Sequence, residues 1–151
     1  MSILETVNAD IKKAMLAREK VRLEALRGIK KEFLEAMTAP GAGHELTDEM
    51  AMKVLVRLAK QRRESAQIYA ENNRPDLADI ELAEMAVIEE YLPKKLTDAE
   101  LEAELKAIIA ETGAKSPADM GRVMGVATKK LAGRADGRAI STKVKELLQS
   151  L

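Results

Sequence analysis

The sequence of 151 residues has no cysteine, no tryptophan and only three other aromatic residues, Phe33, Tyr69 and Tyr91. The absence of cysteine excludes disulfides, zinc–thiolate sites and cysteine nucleophiles. With so few aromatic rings, the core must consist of Leu, Ile, Val, Met and Ala, a composition that favours helices over strands. The same scarcity argues against reading single-stranded nucleic acid by stacking bases on aromatic side chains.

Long hydrophobic segments are also missing. No stretch approaches the roughly 20 apolar residues that cross a membrane. The first residues, Met1 to Glu5, reach an acidic side chain without the apolar segment of a signal peptide. We therefore expect a cytoplasmic protein with no membrane partner.

Signals for catalysis are equally sparse. The only histidine, His44, follows Gly43 in a Pro/Gly-containing segment, which predicts a solvated loop residue rather than a rigidly held general base. No nucleophile elbow, Walker loop or dinucleotide fingerprint occurs. The acids between Asp76 and Tyr91 lack the Glu-x-x-His spacing of di-metal sites. We expect no catalytic residue, no metal and no cofactor.

Charge is balanced overall, with 25 basic and 25 acidic residues, but it is unevenly distributed. Residues 12–31 contain eight basic and two acidic residues, and residues 115–145 again contain eight and two. Between these segments, residues 76–91 contain six acids and no base. The pattern predicts two basic surfaces and an acidic one.

Apolar residues recur at helical spacing along most of the chain, and capping signals mark several helix starts. Ser2 with Glu5 and Thr97 with Glu100 match the capping box. We predict an all-α protein, with N-terminal helical hairpins in residues 1–94 joined to a small C-terminal three-helix domain in residues 95–151. For the helix after Pro75, the predicted buried stripe is Leu77, Ile80, Ala83, Val87 and Tyr91.

The more specific candidate site is a basic, glycine-containing stretch near the C-terminus. Gly133 suits a helix C-terminus and Asp136 an N-cap, and the amides of the helix that follows would add positive potential. Glycines inside a helix indicate either tight packing of a neighbouring helix, which we favour, or a closely approaching ligand. The candidate RNA-binding cations are Lys129, Lys130, Arg134, Arg138, Lys143 and Lys145, and the residues expected to shape the region are Gly121, Gly125, Gly133, Asp136 and Gly137.

A second candidate surface contains Lys60, Arg62 and Arg63 in the third predicted helix. We favour a charge match between this helix and the acids of residues 76–91 across a helical hairpin. The alternative is an exposed surface for a protein partner. Individual surface ion pairs contribute only about 0–1 kcal/mol, so such pairing would orient the hairpin more than stabilise it.

Several motifs occur in order along the chain, namely Lys60-Gln-Arg-Arg-Glu-Ser65, Asn73-Arg-Pro-Asp-Leu-Ala78, Ile88-Glu-Glu-Tyr-Leu-Pro93, Met120-Gly-Arg-Val-Met-Gly125 and Gly133-Arg-Ala-Asp-Gly137. In these motifs the sequence resembles the YqeY family. The resemblance implies an all-helical, two-part protein whose tail is similar to the tail domain of the B subunit of the bacterial aminoacyl-tRNA amidotransferase. In that enzyme the tail helps to hold tRNA, and the family is described as amidotransferase-like, a carbon–nitrogen ligase with glutamine as amide donor.

Residues and resemblance together lead us to expect a non-catalytic tRNA-binding or accessory module of tRNA-dependent amidation. Transfer RNA is the expected partner, and an aminoacyl-tRNA synthetase or amidotransferase is a further candidate. The alternative is a protein-interaction adaptor for an aminoacylation or translation enzyme. A glutamine-dependent enzyme is the least favoured hypothesis, because we find no nucleophile to support it.

Overall fold

The computed structural model describes every residue from Met1 to Leu151 and contains helices but no strand, which confirms the predicted fold class. The chain divides into two compact units, the front unit Met1–Leu92 and the tail unit Pro93–Leu151. A short 3₁₀ turn, Pro117–Asp119, precedes the sixth helix. The helices are α1 (Ile3–Ala17), α2 (Lys20–Thr38), α3 (Asp48–Glu71), α4 (Pro75–Glu89), α5 (Asp98–Thr112), α6 (Met120–Lys130) and α7 (Gly137–Gln149).

None of these helices combines the length and the apolar character that a membrane crossing requires.

The front unit is built around an aliphatic core that contains a single aromatic ring. α1 packs on α2, α3 and α4 pair as a helical hairpin, and α2 packs against both arms of that hairpin. Leu26, Ile29 and Phe33 of α2 are fully buried, and they meet Leu55 of α3 and Ile88 of α4 in the same cluster. α2 is therefore the central helix of this unit.

The C-terminal end of α4 is held to α1 and α2 by polar contacts. The Tyr91 hydroxyl donates a hydrogen bond to the carboxylate of Asp10, and Arg22 Nη1 lies 2.6 Å from Glu90 Oε2. Burial raises the pKa of Tyr91, and the hydrogen bond to Asp10 raises it further. The first helix is thus attached to the unit by polar as well as apolar contacts.

The buried side of α4 differs from the predicted stripe. Val87 is buried, but Ile80 is 44% exposed. Glu81 and Glu84 instead lie on the side that faces α3, where the Arg62 guanidinium contacts both carboxylates. The apolar stripe was wrong at Ile80 and Ala83, which are both exposed, because hydrophobic periodicity alone does not register charged side chains on a packed face. The expected charge match between the third helix and the acids of residues 76–91 is confirmed at Arg62.

The tail unit has a separate aliphatic core formed by α5, α6 and α7. Its cluster shares no residue with the core of the front unit, and the unit contains no aromatic residue. The predicted capping box of Thr97 and Glu100 begins α5: each side chain accepts the backbone N–H of the other residue. The largest fully buried side chains are Leu105, Val123, Leu131, Ile140, Val144 and Leu148.

Candidate functional site

The connection between α6 and α7 is fixed by a left-handed glycine and a helix cap. Leu131 ends α6, and its carbonyl accepts hydrogen bonds from the backbone N–H groups of Arg134 at 2.9 Å and Ala135 at 3.3 Å. Gly133 has a φ of +77°, which L-residues adopt only with strain. Asp136 then caps α7 by accepting the Arg138 N–H at 3.3 Å. The loop therefore has a defined shape that presents the side chains around it.

Two of the six predicted tail cations have acidic partners within the unit. Lys130 Nζ lies 2.7 Å from Glu111 Oε2, and Lys143 Nζ lies 3.5 Å from Glu146 Oε2. Their charge is already partly satisfied, so they are weaker candidates for contacts with an external anion.

The other four predicted cations have no ion pair within the unit. Lys129 and Arg138 are exposed at the two ends of the loop, and Arg134 lies within it, half-buried. Lys145 is exposed two turns along α7 from Arg138, on the same side of the helix. Continuity of the chain therefore places three unpaired cations around one loop.

The structure adds two cations to this loop that sequence reasoning missed. The backbone N–H of Leu96 donates a hydrogen bond of 2.8 Å to the carbonyl oxygen of Arg134. This contact brings Lys94 and Lys95, both exposed and without an ion pair, to the α6–α7 loop. A hydrogen bond between main-chain atoms depends little on side-chain type, so no sequence pattern could have indicated it.

The pKa of Glu100 supports the proximity of these charges. Its pKa is lowered, chiefly because its carboxylate accepts a hydrogen bond from the backbone N–H of Thr97, and next because of hydrogen bonding with the Thr97 side chain. The nearby positive charges of Lys94 and Arg134 lower it by smaller amounts. We call the five residues Lys94, Lys95, Lys129, Arg134 and Arg138 the cationic end of the tail unit.

Two carboxylates close to the cationic end in the chain or in space, Glu100 and Asp136, are engaged in helix caps. Glu100 closes the N-terminus of α5, and Asp136 closes that of α7. The expected contribution of free helix amides is therefore reduced, because the Arg138 N–H is already bonded. Positive potential at this end comes mainly from side chains.

The glycines do not all shape the site as expected. A side-chain carbon added at Gly121, Gly125 or Gly137 would meet no atom within 4 Å. The predicted tight packing of a neighbouring helix at Gly121 and Gly125 is therefore wrong, since open space surrounds both positions. Of the glycines in this region, Gly133 alone has a positive φ.

In the front unit, the structure separates Arg62 from its two neighbours. Arg62 Nη1 lies 3.4 Å from Glu81 Oε2, and its Nε lies 3.3 Å from Glu84 Oε2. Lys60 and Arg63 are exposed and have no ion pair. Arg62 thus lies, partly buried, between α3 and α4. Of the three residues, only Lys60 and Arg63 are free to contact a partner at the surface.

The remaining polar residues form no metal centre. No three His, Cys, Asp or Glu side chains are close enough together to hold a metal ion. His44 is exposed in the loop between α2 and α3, with a φ of +59°.

Comparisons with known proteins identify a family and several named relatives. The family model described as YqeY-like protein matches residues 4–148. A relative named altered inheritance of mitochondria protein 41, mitochondrial, from Meyerozyma guilliermondii is 36% identical over 59% of this chain and 46% of its own length. Proteins of the same name are 32% identical in Lachancea thermotolerans, over 72% of this chain and 58% of theirs, and 28% identical in Pyrenophora tritici-repentis, over 97% and 81%. The chain spans about half the length of the first of these curated relatives.

These names correct two expectations drawn from the sequence. The relatives are named for the inheritance of mitochondria and not for aminoacyl-tRNA amidation, so the expected accessory module of a tRNA amidotransferase, with its adaptor alternative, is wrong. The expected cytoplasmic location is likewise contradicted, because the relatives are named as mitochondrial proteins.

Proposed function

The chain belongs to the family of YqeY-like proteins, and within it we propose a binding protein that holds a nucleic-acid backbone at the cationic end of its tail unit. The observation that carries this proposal is the hydrogen bond from Leu96 N–H to the Arg134 carbonyl. It joins Lys94 and Lys95 to the cations of the α6–α7 loop. The proposal includes no role in amide transfer.

The net charge of the tail unit supports an anionic partner. Pro93–Leu151 contains eleven basic and eight acidic residues, whereas Met1–Leu92 contains 14 and 17. A basic surface of this kind attracts a phosphate backbone and releases its counterions on binding. The neutral charge of the whole chain hides this difference between the units.

The absence of aromatic side chains from the tail unit limits the mode of binding. Without rings on which bases can stack, recognition rests on phosphate contacts and on the shape of a folded or double-stranded partner. Affinity should therefore depend on salt much more than on base sequence.

The test compares paired and unpaired cations of the same unit. In one variant Lys129→Gln and Arg138→Gln remove two unpaired charges, and in the matched control Lys130→Gln and Lys143→Gln remove two paired ones. Fluorescence anisotropy with a labelled RNA hairpin gives the slope of log affinity against log salt. We expect that slope to fall in magnitude by about 2 in the first variant, since each phosphate contact contributes about 1.

A third variant tests the contribution of the segment before α5. Lys94→Gln with Lys95→Gln should reduce the salt slope to a similar extent, although these lysines lie more than thirty residues from the loop in sequence. No binding of wild-type protein at low salt would refute the proposal. Equal losses in the paired and unpaired variants would show that net charge alone, and not this surface, attracts the RNA.

A further inference from the structure

The corner between α1 and α2 exposes three large apolar side chains within seven positions. Leu16 is 86% exposed, Met15 is 52% exposed and Val21 is 39% exposed. α1 ends at Ala17, Arg18 adopts a left-handed conformation with φ +57°, and α2 begins at Lys20. These side chains lie at the end of the hairpin that α1 and α2 form. We call Met15, Leu16 and Val21 the apolar corner.

Four cations flank the apolar corner, namely Lys12, Lys13, Arg18 and Lys20. All four are exposed, and none forms an ion pair. Lys12 lies one helical turn before Leu16 on the same side of α1. The one acid in the turn, Glu19, has its Oε2 at 3.7 Å from Arg22 Nε. The charge around the apolar side chains is therefore strongly positive and uncompensated.

Helix stability does not account for Lys20 among these cations. The first turn of a helix favours acidic residues, because its free amides carry partial positive charge. α2 instead starts with Lys20, has no acid in its first turn, and receives no side-chain cap from Glu19. A cation at this position is locally unfavourable, and the packing of the helix gives no reason for it.

We propose that the apolar corner, with its four cations, is a site that inserts into the surface of an anionic lipid bilayer. Protruding apolar side chains enter the boundary between headgroups and acyl chains, while flanking Lys and Arg side chains reach the anionic headgroups. Charge complementarity identifies the partner: the uncompensated cations require an acidic surface, and the exposed leucine requires an apolar layer beneath it.

The charge around Leu16 favours a bilayer over a folded protein partner. The centres of protein interfaces are desolvated and depleted of charged residues, whereas Leu16 is flanked by four exposed cations. Contact with a bilayer surface requires no membrane-spanning helix. The sequence-based expectation of no membrane partner, which was drawn from spanning segments, therefore does not bear on it.

Labelling at position 16 tests insertion directly. Because the chain has no cysteine, the Leu16→Cys variant of the full chain can carry a single polarity-sensitive fluorophore. We expect a blue shift and a rise in its emission with phosphatidylcholine vesicles that contain roughly one-third phosphatidylserine, but not with pure phosphatidylcholine. Leu82→Cys, an exposed site on α4, is the matched control and should show no shift.

Vesicle sedimentation measures the two contributions separately. Lys13→Gln with Lys20→Gln should weaken binding about 25-fold, since each cation near an anionic surface contributes about fivefold. Leu16→Ser should weaken it roughly tenfold through lost apolar burial. The matched controls are Lys60→Gln with Arg63→Gln and Leu82→Ser, which should each change binding less than about twofold.

The cationic end of the tail unit also attracts anions, so the vesicle measurements are repeated with Lys129→Glu and Arg138→Glu present. An emission shift that persists in this background supports the proposal. It is overturned if the label at position 16 does not respond to anionic vesicles, or if Leu16→Ser binds them as wild type does. A label that responds to polyglutamate but not to vesicles would also overturn it, and would assign the corner to an acidic protein.

Discussion

Arg134 contributes to the cationic end through two chemically separate parts. Its carbonyl oxygen accepts a hydrogen bond from the Leu96 N–H, in the segment before α5. Its guanidinium has no acidic partner. The first contact survives any side-chain substitution, and the second is lost with the charge. Arg134→Ala should therefore leave the loop in place while it removes one phosphate contact.

At three glycines of the tail unit, the backbone conformation determines whether substitution by alanine raises or lowers the free energy of unfolding. Gly133→Ala should lower the free energy of unfolding by about 1 kcal/mol, because φ is +77° at this position. Gly121→Ala and Gly125→Ala should instead raise it by about 0.5–1 kcal/mol each, since both residues lie within α6 and have free space around them. Urea unfolding followed by far-ultraviolet circular dichroism measures all three. Destabilisation by Gly121→Ala would mean that α6 packs more tightly at that position than described.

Charge contributes to the way in which α4 packs on α3. Its buried side carries Glu81 and Glu84, and both contact Arg62 of α3. Burial raises the pKa of Glu84, the charge of Arg62 opposes this, and the charge of Glu81 adds to the increase. One guanidinium thus balances two carboxylates between these helices.

Removing that guanidinium should destabilise the front unit. Arg62→Met leaves two partly buried carboxylates facing each other, and we expect a loss of about 1–2 kcal/mol at neutral pH, less than for a fully buried pair. Arg63→Met, at the neighbouring exposed position, should stay within about 0.5 kcal/mol of wild type. Urea denaturation of both variants makes the comparison.

The pH dependence of the Arg62→Met defect follows from the sign of the Glu84 shift. A carboxyl whose pKa is raised on folding contributes stability below its unfolded pKa, and this is lost as pH rises through the folded pKa. Without Arg62, the pKa of Glu84 rises further. The deficit should therefore shrink as pH falls from neutral towards the ordinary glutamate pKa. A deficit independent of pH would show that lost packing of the Arg62 side chain is its cause.

Sequence reasoning predicted those elements whose signals are local. The capping boxes of Ser2 with Glu5 and of Thr97 with Glu100 occur as predicted, because each involves residues three apart. The charge match between α3 and the acids of α4 was expected as well, but the apolar pattern did not indicate that Glu81 and Glu84 would lie on the side of α4 that faces α3. Lys94 and Lys95 were missed because a backbone hydrogen bond between distant segments has no side-chain signature.

The whole chain consists of two units with separate cores and opposite net charge. Leu26 and Phe33 belong to one buried cluster and Leu105 and Val144 to the other, and the clusters share no residue. The two proposed contacts also fall on different units, with the apolar corner in the front unit and the cationic end in the tail unit. Each unit can therefore be perturbed by substitutions in its own core.

Separate cores predict two unfolding transitions in calorimetry. Leu105→Ala should lower the stability of the tail unit by about 2–5 kcal/mol and leave the transition of the front unit in place. Leu26→Ala should have the reverse effect. A single transition that shifts as a whole in both variants would refute independent unfolding.

The placement of the three aromatic residues determines which part of the protein contributes to its near-ultraviolet absorption and intrinsic fluorescence. Phe33, Tyr69 and Tyr91 all lie in the front unit, so the tail unit has no side chain that absorbs or emits in the near ultraviolet. Intrinsic tyrosine fluorescence therefore originates in the front unit alone. In a chain without tryptophan, one tryptophan substituted at an exposed tail position would give that half its own spectral reporter.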